Sequence, residues 1–108
     1  MTVPSTFTAF RIFKQNERIE GRLVRASLDE LSDGEIVLKT DYSSINYKDA
    51  LAATGAGKIL RRFPLVGGID AAGTIVSSAD ERYQAGSKVL VTGHDLGVSV
   101  DGGFSEYV

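Results

Sequence analysis

The chain has no cysteine, one histidine and only two prolines among its 108 residues. Without cysteine it has no disulfides, no thiolate nucleophile and no cysteine-held zinc. The one histidine, His94, sits in Gly93-His94-Asp95 and reads as a solvent-facing or locally hydrogen-bonded turn residue. No run of about 18 apolar residues occurs, and the first ten residues carry neither a basic leader nor an apolar stretch of signal length. A cytoplasmic protein that does not use the membrane is the expectation. Charge of neither sign dominates, with twelve basic against fourteen acidic side chains and a net charge of -2. Such a balance offers no global attraction for nucleic acid.

What is present is glycine, twelve of them, between short stretches of strand-like alternation. The length fits one domain over residues 1–108, able to bury roughly 60–70% of its unfolded surface. Phe7 to Lys14 and Ile19 to Leu28 read as antiparallel partners joined by Gln15-Asn16-Glu17-Arg18. Ser32-Asp33-Gly34 is a turn signal. After it, Ile36, Leu38, Thr40 and Tyr42 share one parity, the two-residue period of a half-buried strand. Gly67 to Ser77 reads as a strand entered through a bend, Ser87 to Thr92 as a short strand, and Asp101-Gly102-Gly103 as a turn into a strand over Phe104 to Val108. Phe104 and Tyr107 read as packing residues. Together these predict a mainly β fold with one or two short helices.

The most informative segment is Ser43-Ser44-Ile45-Asn46-Tyr47-Lys48-Asp49, where a strand runs into a helix predicted over Tyr47 to Thr54 and stopped by Gly55. Asn46 is placed to cap that helix, and Asp49 lies three positions on, in its first turn. The same residues suit chemistry, so both readings stand at this point. Gly55-Ala56-Gly57-Lys58 does not complete a phosphate loop, because Ala52 replaces the first glycine and Ile59 the hydroxyl residue that would reach magnesium. A Gly-x-Gly-x-x-Gly turn between a strand and a helix is likewise missing, and with it the usual cradle for a dinucleotide pyrophosphate.

Three segments, in order, resemble the medium-chain dehydrogenase/reductase superfamily. They are Ser43 to Asp49, Arg62-Phe63-Pro64 with Gly68-Ile69-Asp70-Ala71-Ala72-Gly73-Thr74, and Asp101-Gly102-Gly103-Phe104-Ser105-Glu106-Tyr107. Within that superfamily the chain is similar to the zinc-independent quinone oxidoreductases that include acrylyl-CoA reductases. The resemblance covers Phe7 to Val108 and implies a GroES-like, partly open β-barrel, the N-terminal substrate-side domain without its nucleotide-binding partner. Zinc-dependent relatives carry a cysteine at the position of Asn46 and a His-Glu pair at Ile69-Asp70, so the resemblance implies no metal here.

The reaction implied is NADPH-dependent reduction of an activated carbon-carbon double bond in an enone, a quinone or an enoyl-CoA. Hydride addition to the β-carbon leaves an enolate, which neutral donors stabilise in a dry site. Asn46 is the candidate donor, Tyr47 a donor or proton source, and Asp49 and Asp70 the residues that organise the site. Asp49 also reads as a helix-stabilising residue, and Asp70 as a structural carboxylate. Lys48, Arg61 and Arg62, with Lys58 beside them, are candidate contacts for the phosphates of NADP or coenzyme A, or else solvated charges.

A chain ending before the nucleotide domain is expected to be inactive alone and to bind NADPH weakly. Two other readings stay open. One is a free-standing noncatalytic module that forms a homo-oligomer through uncovered edges. The other is a small-ligand-binding domain that uses the Lys58, Arg61 and Arg62 cluster.

Overall fold

A computed structural model describes residues 3–32, 34–93 and 95–108. His94 and the Asp33 of the predicted Ser32-Asp33-Gly34 turn lie outside the described residues. Strand β1 (Phe7–Gln15) pairs with β2 (Arg18–Ala26) in an unbroken antiparallel ladder from Phe7 opposite Ala26 to Gln15 opposite Arg18. Only Asn16 and Glu17 turn the chain, with φ of 49° and 72°. Two left-handed residues match the twist of the flanking strands, so the ladder takes Gln15 and Arg18 out of the predicted loop.

A second sheet is built from β3 (Ile36–Ser43), β5 (Asp70–Ser78) and β6 (Lys88–Thr92), with β5 in the middle. The β3–β5 register shifts between Val37 and Leu38 and again between Thr40 and Tyr42. These irregularities break the parity read from the sequence. Leu38 is buried, whereas Tyr42, two positions past Thr40 on the same predicted face, is 76% exposed.

The strand expected over Gly67 to Ser77 is in fact two. Leu65–Val66 (β4) joins β1 in the first sheet, while β5 begins at Asp70 in the second. Gly67-Gly68 carries the chain between sheets, and Gly68 has φ of 99°. Phe104 to Val108, expected as a strand, is instead a seam between the sheets. Phe104 O accepts from Phe10 N at 2.7 Å and Glu106 N donates to Thr8 O at 3.1 Å, on the β1 side. Toward β3, Thr40 N donates to Glu106 O at 2.9 Å, and Val108 exchanges two bonds with Leu38. Alternate backbone groups thus serve different sheets, so no continuous ladder forms. Tyr107 fills the core beside Phe7, their ring centroids 5.3 Å apart, with Ala9, Ala26, Leu31 and Val66. Phe104 meets Phe10 edge-on at 6.2 Å. The result is mainly β, with two three-stranded sheets that stay open.

Asp101 ties three loops to this frame. It is 4% exposed and accepts from Val66 N at 2.7 Å, Ser32 N at 2.8 Å, Ser32 Oγ at 3.0 Å and Arg62 Nη2 at 3.3 Å. On the surface, hydrogen bonds from the Arg82 side chain and backbone hold the Asp80 carboxyl down at about 2. A carboxyl depressed on folding stabilises the fold above its ordinary value of 3.8 and loses that contribution as pH falls toward 2. An NMR titration of the Asp80 carboxyl carbon should therefore show a midpoint near 2. Arg82→Ala removes the guanidinium but keeps the backbone N–H on Asp80 Oδ1, so it should move the midpoint only part of the way back toward the ordinary carboxylate range, and a midpoint near 4 in the unaltered protein would contradict the pairing.

Candidate functional site

Helix α1 (Tyr47–Thr54) starts where the sequence places it. Asn46 is its N-cap, with extended φ and ψ of -116° and 158°, and Gly55 ends it at φ of 76°. A left-handed residue is needed there, which glycine adopts without strain. Asp49, 4% exposed, accepts the Asn46 backbone N–H at 2.9 Å and so closes the first turn. Its other oxygen accepts Ile69 N at 3.0 Å, pinning the helix start against the entry to β5.

The Asn46 side chain turns away from simple capping. Its Nδ2 lies 2.9 Å from Asp70 Oδ2, 3.1 Å from Asp49 Oδ2 and 3.1 Å from Ser44 Oγ. With two carboxylates facing it, only the amide nitrogen can sit on that side, since a carbonyl oxygen there would be repelled by both. Ser44 Oγ donates to Asp70 Oδ2 at 2.8 Å. The end of β3, the start of α1 and the first residue of β5 therefore meet in one polar network of Ser44, Asn46, Asp49 and Asp70. The capping position of Asn46 and Asp49 and their place in this network are compatible, because the same carboxylate serves both the backbone and the amide.

Other candidates stand apart. Tyr47 is 81% exposed and takes no part in the network's hydrogen bonds. Lys48, Lys58 and Arg61 are exposed. Arg62 is exposed as well, but its guanidinium is engaged by its own chain. It donates from Nε to Ser99 O at 2.7 Å and from Nη2 to Asp101 Oδ2 and Ser32 Oγ. Sequence reasoning singled out neither Ser44 as a site residue nor Asp101 as a structural hub. Ser44's place in the polar segment two positions before Asn46 was the available signal, but its partner Asp70 lies 26 residues away.

Beside the network an open depression of about 260 Å³ has Ser44 and Asp70 at its polar side and Tyr42, Leu90 and Thr92 around it. Leu90 is 71% exposed there. Nearby, hydrogen bonding to Lys88 holds the Asp41 carboxyl below its ordinary value. The larger groove, about 450 Å³, is elsewhere, between apolar residues such as Leu31, Leu38, Val89 and Leu96. Of its polar members, Ser32 and Asp101 are already spent on the frame and Thr92 also lines the smaller depression, which has Ser44 and Asp70 of the polar network beside it and is the better chemical candidate.

Among the described residues, no three His, Cys, Asp or Glu side chains converge in a metal-binding arrangement, and no helix is long and apolar enough to cross a membrane. Nor do these residues fit a dinucleotide. The one α-helix among them has Asp49 in its first turn, and Asn46 N is taken by that carboxylate. A pyrophosphate there would meet negative charge and a spent donor.

The alcohol dehydrogenase GroES-like domain family matches residues 32–108. YhfP of Bacillus subtilis (strain 168), provisionally named a quinone oxidoreductase, is 45% identical over 101 residues, which are 94% of this chain and 31% of that protein. The acrylyl-CoA reductase AcuI of Ruegeria pomeroyi (strain ATCC 700808 / DSM 15171 / DSS-3) is 39% identical over 93% of this chain and 31% of its own length. The crystal structure of the yhdH oxidoreductase from Salmonella enterica in complex with NADP superposes with a TM-score of 0.91 at 40% identity, covering 94% of this chain and 31% of that one. The chain thus spans about a third of the length of these relatives.

Proposed function

Because the chain belongs to the alcohol dehydrogenase GroES-like domain family, we propose that it forms the substrate-side domain of an NADPH-dependent, zinc-independent oxidoreductase that reduces an activated carbon-carbon double bond. The acceptor is an enone, a quinone or an enoyl thioester such as an enoyl-CoA, and the setting is cytoplasmic. The observation that carries this reading is the Ser44–Asn46–Asp49–Asp70 network, a hydrogen-bonding site that contains neither cysteine nor histidine and opens on a small apolar-walled depression. Relatives named for a quinone and for acrylyl-CoA, and a relative solved with NADP, support the substrate class and the cofactor. When bound, the dinucleotide supplies hydride. These residues hold the acceptor and keep its carbonyl against a hydrogen-bond donor.

Two experiments test the reading. The 108-residue chain alone should oxidise no NADPH above background with an enone present, since its residues do not cradle a pyrophosphate. A chimera in which this chain replaces the matching third of Bacillus subtilis YhfP should oxidise NADPH when given an enone, a quinone or acrylyl-CoA. Turnover by the chain alone at an ordinary enzymatic rate, or a folded, NADPH-binding chimera that reduces none of the three, would overturn it.

A further inference from the structure

The Asn46 side chain has two hydrogens and three oxygens within reach. Bonds to ionised acceptors are the stronger ones, so both hydrogens go to the carboxylates of Asp49 and Asp70. The backbone N–H of Asn46 is also committed, to Asp49. Nothing on this residue remains to meet a substrate oxygen. Tyr47 points no donor into the network either. Ser44 differs from both. It is exposed, it lines the depression, and its hydroxyl proton rests on Asp70 Oδ2. Rotation about the Cβ–Oγ bond redirects that proton without leaving Asp70 bare, because Asp70 keeps its bond from Asn46. Once the proton turns outward, Ser44 Oγ is 3.1 Å from Asn46 Nδ2 and retains a polar neighbour.

We propose that Ser44 is the donor to the substrate carbonyl oxygen, its Oγ–H swinging from Asp70 to the ligand, and that Asn46 is a positioning residue that holds Asp70 and Ser44 in place. This rests on the functional reading above and names the group that does the binding within it. The ligand class is a small, neutral α,β-unsaturated carbonyl whose oxygen faces Ser44 and whose carbon skeleton lies between Tyr42 and Leu90. Reduction builds negative charge on that oxygen, and a hydroxyl that donates there strengthens as the charge grows.

The test uses the 108-residue chain, ¹⁵N-labelled, titrated with ¹³C-carbonyl-labelled 2-cyclohexenone. The absence of cysteine removes thiol addition to the probe as a complication. Expected are saturable amide shifts at Ser44, Asp70 and Leu90 and a downfield move of the probe's carbonyl carbon. Ser44→Ala should weaken binding about 3- to 10-fold, the value of one hydrogen bond, and abolish the carbonyl shift. Ser44→Thr, which keeps a hydroxyl, should restore both. Ser44 is on the surface, and unchanged spectra away from the site will verify that both variants fold.

Equal affinity and carbonyl shift in Ser44→Ala, or no saturable shift at these residues in the unaltered chain, would overturn the proposal. In the chimera, enone reduction unaffected by Ser44→Ala would sink the Ser44 assignment alone. Ser44-dependent binding of cyclohexenone with no reduction of any acceptor by the chimera would sink the functional reading alone.

Discussion

Asp49→Ala is expected to destabilise the protein by about 2–4 kcal/mol and to dismantle the polar network, because it strips a buried acceptor from three donors at once. Ile69 N, Asn46 N and Asn46 Nδ2 all converge on this carboxylate, which is 4% exposed. Two backbone N–H groups would lose their partner, one at the start of α1 and one at the entry to β5. Asp49→Asn should be intermediate. Its oxygen can still accept one N–H, but its amide presents a donor to the remaining donors of Asn46. Urea unfolding gives the energies, and amide exchange at Asn46 and Ile69 gives the location. A loss below about 0.5 kcal/mol, the range of ordinary surface changes, would show that the network is ornamental. The functional consequence follows from the geometry. With Asp49 gone, Asn46 is held by Asp70 and Ser44 alone, so the residues that organise the depression are no longer fixed to the helix.

Gly102→Ala should cost about 3 kcal/mol or more, because a methyl group there runs into backbone that has no freedom to move aside. A Cβ on Gly102 would sit 2.1 Å from Gly68 O and 2.6 Å from Gly67 O. The same stretch is knotted by Gly102 N to Val66 O at 2.9 Å, Phe104 N to Gly67 O at 2.9 Å and Gly103 N to Gly68 O at 3.0 Å. Relief would require these bonds to lengthen together. Gly86→Ala is the informative comparison, since Gly86 has φ of 93° with no heavy atom within 4 Å of a new Cβ. It should lose only the roughly 1–2 kcal/mol of left-handed strain. Thermal unfolding should separate the two, with Gly102→Ala lower by about 10 °C or more relative to the unaltered chain. Equal losses at the two positions would show that close approach is not what requires glycine at 102. Gly68 lies two residues before Asp70, so a shift at this crossing also moves Asp70 relative to Asn46.

Much of the local architecture was legible from the residues. The hairpin of β1 and β2, the existence of β3 and the helix Tyr47–Thr54 with its stop at Gly55 each depend on neighbours in the chain, and short-range rules reach them. The errors share a cause as well. Gly67 to Ser77 read as one strand and Phe104 to Val108 as another, because periodicity records which residues are apolar and not which sheet receives them. Tyr42 read as a companion of Leu38 because a register shift leaves no mark on alternation.

The chain's own sequence determined the mainly β class, the lack of cysteine chemistry, the bounds of the helix and the family whose motifs it carries in order. Tertiary structure alone decided the site. It brought Asp70 to within 2.9 Å of an amide 24 residues away, set Ser44 at the mouth of the depression and tied Arg62 to Asp101. The physical reason is that a hydrogen bond acts over about 3 Å while the residues that make it lie tens of positions apart. Only the crossing at Gly67-Gly68, the register of β3 on β5 and the seam at Phe104 to Val108 bring those positions together.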